Sequence, residues 1–126
     1  MNNSKIQAVF HGGILTITYF ENAVITAEDI KEIYAYGELK SRGRPYCIMF
    51  EAINHYEVTD EAIAFMSENP GNKKILAKAY VINTKEAELK TKLHLMFDHP
   101  SLKPHVFKNS EEAKRYLITI LNDAVP

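Results

Sequence analysis

The chain has 126 residues and a formal net charge of −1, with 46% hydrophobic and 25% charged residues. This length suits one domain that buries roughly two-thirds of its unfolded surface, and the balanced charge argues against a dedicated nucleic-acid binder, which carries a basic excess. Cys47 is the one cysteine, which excludes an intramolecular disulfide and a cysteine-based zinc site.

Two short β-type runs open the chain, Ile6 to Phe10 and Ile14 to Tyr19, with His11-Gly12-Gly13 between them. A Gly-Gly step flanked by apolar residues predicts a β-hairpin, because glycine tolerates positive φ. The first strand should therefore pair antiparallel with the second and form an edge of the sheet. Since an unpaired edge can take up another strand, a homodimer is one expectation.

The first predicted helix begins at Thr26, whose side chain can cap the free amide groups. Glu28 and Asp29 suit the positive end of that helix. Gly37 lies inside it and predicts a close approach of another element. Gly43 suits a left-handed residue that ends the helix.

The segment Tyr46 to Phe50 is apolar at nearly every position, which is typical of a strand covered on both faces of a parallel sheet. We expect a loop from Glu51 to Val58 after it. A short helix from Thr59 to about Ser67 should follow, and then a turn at Asn69 to Asn72.

Four further elements complete the chain. They are a strand from Leu76 to Ile82, a helix from Asn83 or Thr84 to about Phe97, a strand from His105 to Phe107, and a last helix that opens at Asn109-Ser110-Glu111-Glu112, a sequence similar to a capping box. The order β-β-α-β-α-β-α-β-α predicts an α/β fold. Its sheet should be mostly parallel and five-stranded, with helices on the outside and the first strand as an antiparallel edge.

Several residues of the second half point to a known family. Ala77-Lys78-Ala79-Tyr80-Val81 is a strand with an Ala-rich start, and Glu111-Glu112-Ala113 opens a helix that carries Tyr116-Leu117. With the short strand ending in Phe107, this arrangement resembles the SpoIIAA-like family of the STAS superfamily, named for sulfate transporters and anti-sigma factor antagonists. Many relatives have Trp-Leu in place of Tyr-Leu. The resemblance implies a SpoIIAA-like fold over Ile6 to Leu121.

One departure from that family bears on function. Anti-sigma factor antagonists carry an Asp-Ser-Ser/Thr-Gly type sequence after the central strand, with a phosphorylated serine at a helix N-terminus. The matching segment here, Glu51 to Asp60, has no serine and no glycine. Tyr56 and Thr59 are the only residues with a hydroxyl group near the start of the helix, and we interpret Thr59 as a helix cap. A phosphoryl switch of that kind is therefore not expected.

The candidate site is the segment that follows the central strand, because ligands and partners meet open parallel sheets at the carboxyl ends of their strands. Its polar and aromatic residues form the predicted partner- or ligand-binding set, namely Glu51, Asn54, His55, Tyr56, Glu57 and Thr59. This set fits a recognition loop beside the positive end of the second helix. A solvated loop held by local hydrogen bonds is the alternative interpretation.

The five histidines do not predict a metal site. His94 and Asp98 are four residues apart on one predicted helix and could face one ion. However, no His-Glu-x-x-His pattern exists, His99 precedes a proline in a loop, and His105 begins a strand. We expect no metal and no cofactor.

Motifs for catalysis are missing from the sequence. There is no Gly-x-Ser-x-Gly elbow, Gly12-Gly13 is too short for a phosphate-binding loop, and Cys47 lies inside a strand. A Glu51–His55 acid–base pair is the one enzymatic hypothesis that remains, and we expect a protein that is not an enzyme.

The resemblance and the missing catalytic motifs together lead to two candidate functions. The first is a non-enzymatic STAS-like interaction or regulatory domain that binds a protein partner, with an exposed patch near Tyr56. The second is a carrier of a small apolar or lipid-like ligand, because SpoIIAA-like domains are similar in layout to CRAL-TRIO lipid-transfer domains. A carrier requires an enclosed apolar cavity of several hundred Å³.

The chain lacks the features of a membrane protein. No stretch approaches the ~20 apolar residues that span a bilayer, and Met1 to Lys5 lack the apolar core of a signal peptide. We expect a cytoplasmic protein without stable membrane insertion, made of one domain over residues 1–126.

Overall fold

The structure is a computed structural model, and it describes residues 1–68, 74–82 and 104–124. The strands in these ranges are β1 (Ile6–His11), β2 (Ile14–Tyr19), β3 (Ala23–Ile25), β4 (Tyr46–Ala52), β5 (Tyr56–Val58), β6 (Ile75–Ile82) and β7 (Pro104–Phe107). The helices are α1 (Ala27–Ser41), α2 (Asp60–Glu68) and α3 (Ser110–Ala124). The predicted turn at Asn69 to Asn72 and the predicted helix from Asn83 or Thr84 to Phe97, with His94, Asp98 and His99, lie outside the described residues. Among the helices described, none is long and apolar enough to cross a membrane.

Five strands form the main sheet in the order β1-β2-β4-β6-β7. β1 is antiparallel to β2, and each of the other neighbouring pairs is parallel. The predicted α/β fold, with a mostly parallel five-stranded sheet and an antiparallel edge, is confirmed. Because β2, β4 and β6 run in one direction, their carboxyl ends lie along the same edge of the sheet.

The β1–β2 connection is the predicted glycine hairpin. His11 pairs with Ile14, which leaves Gly12 and Gly13 as a two-residue loop. Both glycines have positive φ, 59° and 81°. A two-residue hairpin of this kind needs positive φ at both positions, and a residue with a Cβ adopts it only at a steric cost.

The sheet has a core on each face, as the apolar β4 sequence predicted. Ile48 and Phe50 point to the face that α1 and α2 cover, whereas Cys47 and Met49 point to the face that α3 covers. Successive strand residues alternate between faces, so a strand buried on both sides must be apolar throughout. Leu117 of α3 is fully buried in the second core.

Helix α1 begins and ends with local devices that its sequence encodes. The Thr26 side chain accepts a hydrogen bond from the backbone N–H of Asp29, and the Asp29 carboxylate accepts one from the backbone N–H of Thr26, which completes a capping box. Lys5 Nζ lies 3.0 Å from the same carboxylate. At the other end Arg42 and Gly43 have φ of 54° and 78°, so the left-handed conformation begins one residue before the predicted Gly43.

Gly37 makes the close approach that its sequence position predicted. A Cβ added there would lie 2.6 Å from the Tyr46 Oη atom, closer than real Cβ atoms approach a neighbour. Tyr46 is fully buried at the start of β4. The glycine therefore allows α1 to pack directly over a tyrosine ring of the sheet.

The segment predicted as a loop from Glu51 to Val58 is more ordered than expected. β4 continues to Ala52, and Tyr56–Val58 forms β5, which pairs in parallel with β3. In this two-stranded ribbon Ala23, Ile25 and Tyr56 are buried, while Val24 and Glu57 face outward. Three residues per strand are too few for a sequence pattern to reveal a strand, and only the pairing of the two segments fixes them.

The outer edge of β1 is partly covered by the chain before it. Met1 and Ala8 exchange two backbone hydrogen bonds, of 2.8 and 2.9 Å. The Asn3 side chain accepts from the backbone N–H groups of Lys5 and Ile6, both at 2.8 Å. These bonds occupy edge groups that a second copy would otherwise use, so they oppose the edge-to-edge homodimer expected from the sequence.

Candidate functional site: the rim platform

The carboxyl ends of β2 and β4 lead into two loops that lie side by side. Because β2 and β4 are neighbours with Thr18 opposite Glu51, the chain leaves both strands at the same point of the sheet edge. The loops then enter β3 and β5, which are also neighbours. We call residues 20–24 and 53–57 together the rim platform.

Side-chain and backbone hydrogen bonds connect the two halves of the rim platform. Asn54 Nδ2 donates to the backbone carbonyl of Tyr19 at 2.9 Å. The backbone N–H of His55 donates to the Glu21 carboxylate at 3.2 Å, and the backbone N–H of Asn22 donates to the His55 carbonyl at 2.7 Å. Asn22 adopts a left-handed φ of 63°, which asparagine tolerates better than most residues. These bonds fix the relative position of the two loops.

Three large apolar side chains of the rim platform are exposed. Phe20, Val24 and Ile53 are 37%, 46% and 41% exposed. Single exposed apolar residues are normal on protein surfaces. Phe20 and Ile53 lie on the two hydrogen-bonded loops and Val24 lies on the adjoining β3, so the rim platform offers several apolar side chains for contact with another molecule.

The charged residues of the rim platform are mainly acidic. Glu21 and Glu57 are exposed, and Asp60 and Glu61 continue the acidic character into the first turn of α2. His55 is exposed between them. Lys108 is also exposed at the carboxyl edge, but it follows β7, two strands away from β4.

The prediction of an exposed patch near Tyr56 is wrong in one respect, because the Tyr56 side chain itself is buried. Its side chain is 2% exposed, and its ring lies 4.8 Å from the ring of Tyr19. Tyr56 alternates with the outward-facing Glu57 in β5, and the first position of this ribbon strand faces the core. A partner can therefore reach His55 and Glu57 but not the Tyr56 ring.

Tyr19 and Tyr56 belong to an aromatic cluster below the rim platform. The ring of Tyr19 lies 6.2 Å from that of Phe50, which stacks on Tyr80 at 5.0 Å. Burial raises the pKa of Tyr19 well above its usual value, and Tyr56, Tyr34 and Asp29 raise it further. Tyr19 is therefore a neutral core residue at physiological pH.

A small recess opens among these rings. It is lined by Tyr19, Phe50, Glu51, Ala52, Tyr56, Met66 and Tyr80, and its volume is about 10 Å³. That space holds about one water molecule, whereas a ligand pocket has a volume of about 300 Å³ or more. The recess is too small for the lipid-like ligand of the carrier hypothesis.

Three residues of the predicted set are half-buried within the fold, namely Glu51, Asn54 and Thr59. Glu51 is half-buried within β4, opposite Thr18 on one side and Val81 on the other. The Asn54 side chain donates a hydrogen bond to the Tyr19 backbone carbonyl. The Thr59 Oγ1 atom accepts a hydrogen bond from the backbone N–H of Ala62 at 3.1 Å, which makes Thr59 the cap of α2.

Residues outside the rim platform offer little chemistry. In residues 1–68, 74–82 and 104–124, no three His, Cys, Asp or Glu side chains are grouped so that they could hold a metal ion. Burial raises the pKa of Cys47 to about 11, although a hydrogen bond involving the Ala77 backbone lowers it slightly. A thiol with that pKa is almost entirely protonated at neutral pH and is a poor nucleophile.

Sequence reasoning did not find some of the residues that shape this site. Phe20, Val24 and Ile53 lie in short segments without a readable period, and their exposure depends on the β3–β5 pairing. Lys78, which reads as part of an Ala-rich strand, is 1% exposed, and its Nζ atom lies 5.8 Å from the centre of the Tyr34 ring. Lys78 is the one charged residue in the otherwise apolar sequence of β6, and this is the sequence signal for its unusual position.

Comparison with known proteins places this architecture in context. The structure is similar to that of an uncharacterized protein of the DUF3478 family with a SpoIIAA-like fold from Shewanella loihica PV-4. The TM-score is 0.62 at 15% sequence identity, and the match covers 93% of this chain and 98% of that one. This likeness shows the SpoIIAA-like fold that the sequence predicted. None of the curated proteins matches the chain.

The sequence itself identifies a family. Residues 8–121 match the family model described as a domain of unknown function, DUF7793. The matched range includes the main sheet from Ala8 of β1 to β7, the rim platform and most of α3. The chain therefore belongs to the DUF7793 family and has a SpoIIAA-like fold.

Proposed function

We propose that the chain is a non-enzymatic interaction domain that binds a protein partner through the rim platform. The observation that carries this proposal is the exposure of Phe20, Val24 and Ile53 on the rim platform, whose two halves are joined by hydrogen bonds. A surface that is already ordered loses little conformational entropy on binding, which favours affinity. The expected cytoplasmic location is compatible with this role and stays a prediction.

The buried character of Tyr56 decides which residues a test should change. Truncating a buried aromatic side chain typically costs about 3–5 kcal/mol of stability, so a Tyr56→Ala variant would confuse unfolding with loss of binding. Phe20 and Ile53 are exposed, so aspartate at either position removes no side chain of the buried core.

The experiment is an affinity pull-down with the Phe20→Asp, Ile53→Asp double variant. We expect the variant to fold as the wild type does but to lose the proteins that the wild-type chain retains, because a charge replaces each apolar contact. Ile118→Asp is the matched control, since Ile118 is an exposed apolar residue on α3 and lies outside the rim platform. Equal recovery of partners by the double variant and the control would contradict the proposal.

The carrier hypothesis is the alternative, and it predicts a different result. A carrier would release a lipid-like molecule in native mass spectrometry of the purified chain, and the rim variants would not change its amount. The aromatic recess among the described residues has no room for such a ligand.

A further inference from the structure

A second surface, at the opposite edge of the sheet, differs from the rim platform in charge. The last turn of α1 and the loop that leads to β4 carry Lys40, Arg42 and Arg44, all exposed, and Lys74 lies against this loop just before β6. We call residues 39–44 the basic loop. The positive charge is confined to this loop, because Glu38, Glu68 and Asp123 are exposed acids toward the C-terminal ends of the three helices described.

The basic loop also carries an exposed apolar side chain. Leu39 is 72% exposed, the highest value among the large apolar residues described as exposed. In the basic loop an exposed apolar residue lies next to cations, whereas in the rim platform exposed apolar residues lie next to carboxylates. The two surfaces are therefore complementary in both charge and apolar character.

The two surfaces lie on opposite edges of the same sheet. The basic loop ends one residue before β4, and one half of the rim platform immediately follows β4. A seven-residue strand is roughly 23 Å long at 3.3 Å per residue. One copy therefore cannot join its own two surfaces, whereas two copies can.

We propose that the chain associates with itself head to tail, with the basic loop of one copy seated on the rim platform of the next. The proposal rests on the proposed function, because it names a second copy as a partner for the same platform. Since the two contacting surfaces differ, the contact is heterologous and leaves a free surface at each end. Association then extends with concentration and does not stop at a dimer.

The test measures the weight-average mass of the purified chain by sedimentation and light scattering over a wide concentration range. We expect the mass to rise with concentration at low salt and to rise less at about 1 M NaCl, where the Debye length is ~3 Å. A wild-type chain that stays monomeric throughout, or that forms a closed dimer, overturns the proposal.

Charge reversal on each surface identifies the contact. The platform variant is Val24→Lys, Glu57→Lys, which changes two outward-facing neighbours of the β3–β5 ribbon. The loop variant is Arg42→Glu, Arg44→Glu. Each should weaken association by about tenfold or more, because like charges then face each other. A 1:1 mixture of the two variants should associate again, because opposite charges then meet.

The matched control is Gln7→Lys, Val9→Lys, which adds two lysines to exposed positions of β1. This control should associate as the wild type does. Association that both reversal variants leave unchanged, or a mixture that stays dissociated, overturns the proposal. If circular dichroism shows that a reversal variant does not fold, the milder Glu57→Gln and Arg44→Gln variants replace it, with a smaller loss expected.

The two proposals fail in different ways. If the purified chain is monomeric but the Phe20→Asp, Ile53→Asp variant loses a partner, the self-association is wrong and the interaction domain stands. If self-association depends on Val24 and Glu57 but no partner depends on Phe20 and Ile53, the rim platform serves contact between copies alone.

Discussion

At the scale of single residues, Gly37 shows how one position sets the distance between a helix and the sheet. Its Cα faces the ring of Tyr46, and an added Cβ would lie 2.6 Å from Oη and 3.0 Å from the ring carbons Cε2 and Cζ. Alanine favours a helix over glycine by about 1 kcal/mol, but overpacking a core typically costs about 1–3 kcal/mol.

We therefore expect Gly37→Ala to lower the free energy of unfolding, measured by urea denaturation, in spite of the gain in helix propensity. Removing the hydroxyl with Tyr46→Phe in the same chain should restore part of the loss, since the closest atom is then absent. A double-mutant cycle of the two changes measures this coupling. A Gly37→Ala variant as stable as the wild type would contradict the prediction.

Asp29 couples the N-terminus of α1 to β1. Burial by itself raises the pKa of this carboxyl, but hydrogen bonds from the Thr26 backbone, Lys5 and the Thr26 hydroxyl outweigh it, so the pKa lies below the ordinary value of 3.8. A lowered folded-state pKa means that the carboxylate adds stability above the unfolded-state pKa of about 3.9. That stability is lost as the pH falls toward the folded-state pKa.

We predict that Asp29→Asn lowers the free energy of unfolding at pH 7 by about 1 kcal/mol and flattens its decline below about pH 4. The measurement is urea denaturation at a series of pH values. Glu28→Gln is the control, because Glu28 lies in the same helical turn but is exposed. Parallel pH profiles for the wild type and Asp29→Asn would contradict the assigned role.

At the scale of elements, the β3–β5 ribbon explains why two helices begin side by side. Ile25 pairs with Val58, and the backbone N–H of Thr59 donates to the Ile25 carbonyl at 3.0 Å. Thr26 and Thr59, the caps of α1 and α2, therefore follow paired residues. Acidic residues occupy the first turn of both helices, which disfavours a phosphoryl group there because like charges repel.

Substitutions of Thr59 distinguish a helix-capping role from a role as a phosphorylation switch. We expect Thr59→Ser to keep the stability of the wild type, because serine retains the hydroxyl, and Thr59→Ala to lower it by about 1 kcal/mol. Thermal unfolding measures both. Thr119→Ala is the control, because Thr119 is exposed within α3. A Thr59→Ala variant of unchanged stability that loses its partner would instead make Thr59 a binding residue.

At the scale of the whole molecule, β4 joins the two cores. Ile48 and Phe50 pack on one face, and Cys47 and Met49 pack on the other. A strand shared in this way should make the loss of either core unfold the same unit, so we expect one cooperative transition, as is usual for small single domains.

Cys47 offers a direct measurement of this cooperativity, because it is buried and has a pKa of about 11. We predict that a thiol reagent labels it at neutral pH only through unfolding. Leu117→Ala on one face and Ile33→Ala on the other should each cost about 2–5 kcal/mol and accelerate labelling. Ile33 lies on the face opposite Cys47. If Ile33→Ala lowered the stability without faster labelling of Cys47, the two cores would unfold separately.

The sequence by itself determined the order of the main elements and the chemistry of their ends. The glycine hairpin, the Thr26 cap and the continuous apolarity of Tyr46 to Phe50 are local signals, and each is found in the structure. Such signals are readable because helix caps, tight turns and residue alternation depend on neighbours in the chain.

The rim platform was decided only by the tertiary structure. Whether Tyr56 is buried and Ile53 exposed depends on β3, a partner some thirty residues earlier in the chain, and no local period encodes a pairing of three residues. The rim platform and the basic loop likewise lie at opposite edges of the sheet because β2, β4, β6 and β7 are parallel, so their carboxyl ends share one edge and their amino ends share the other.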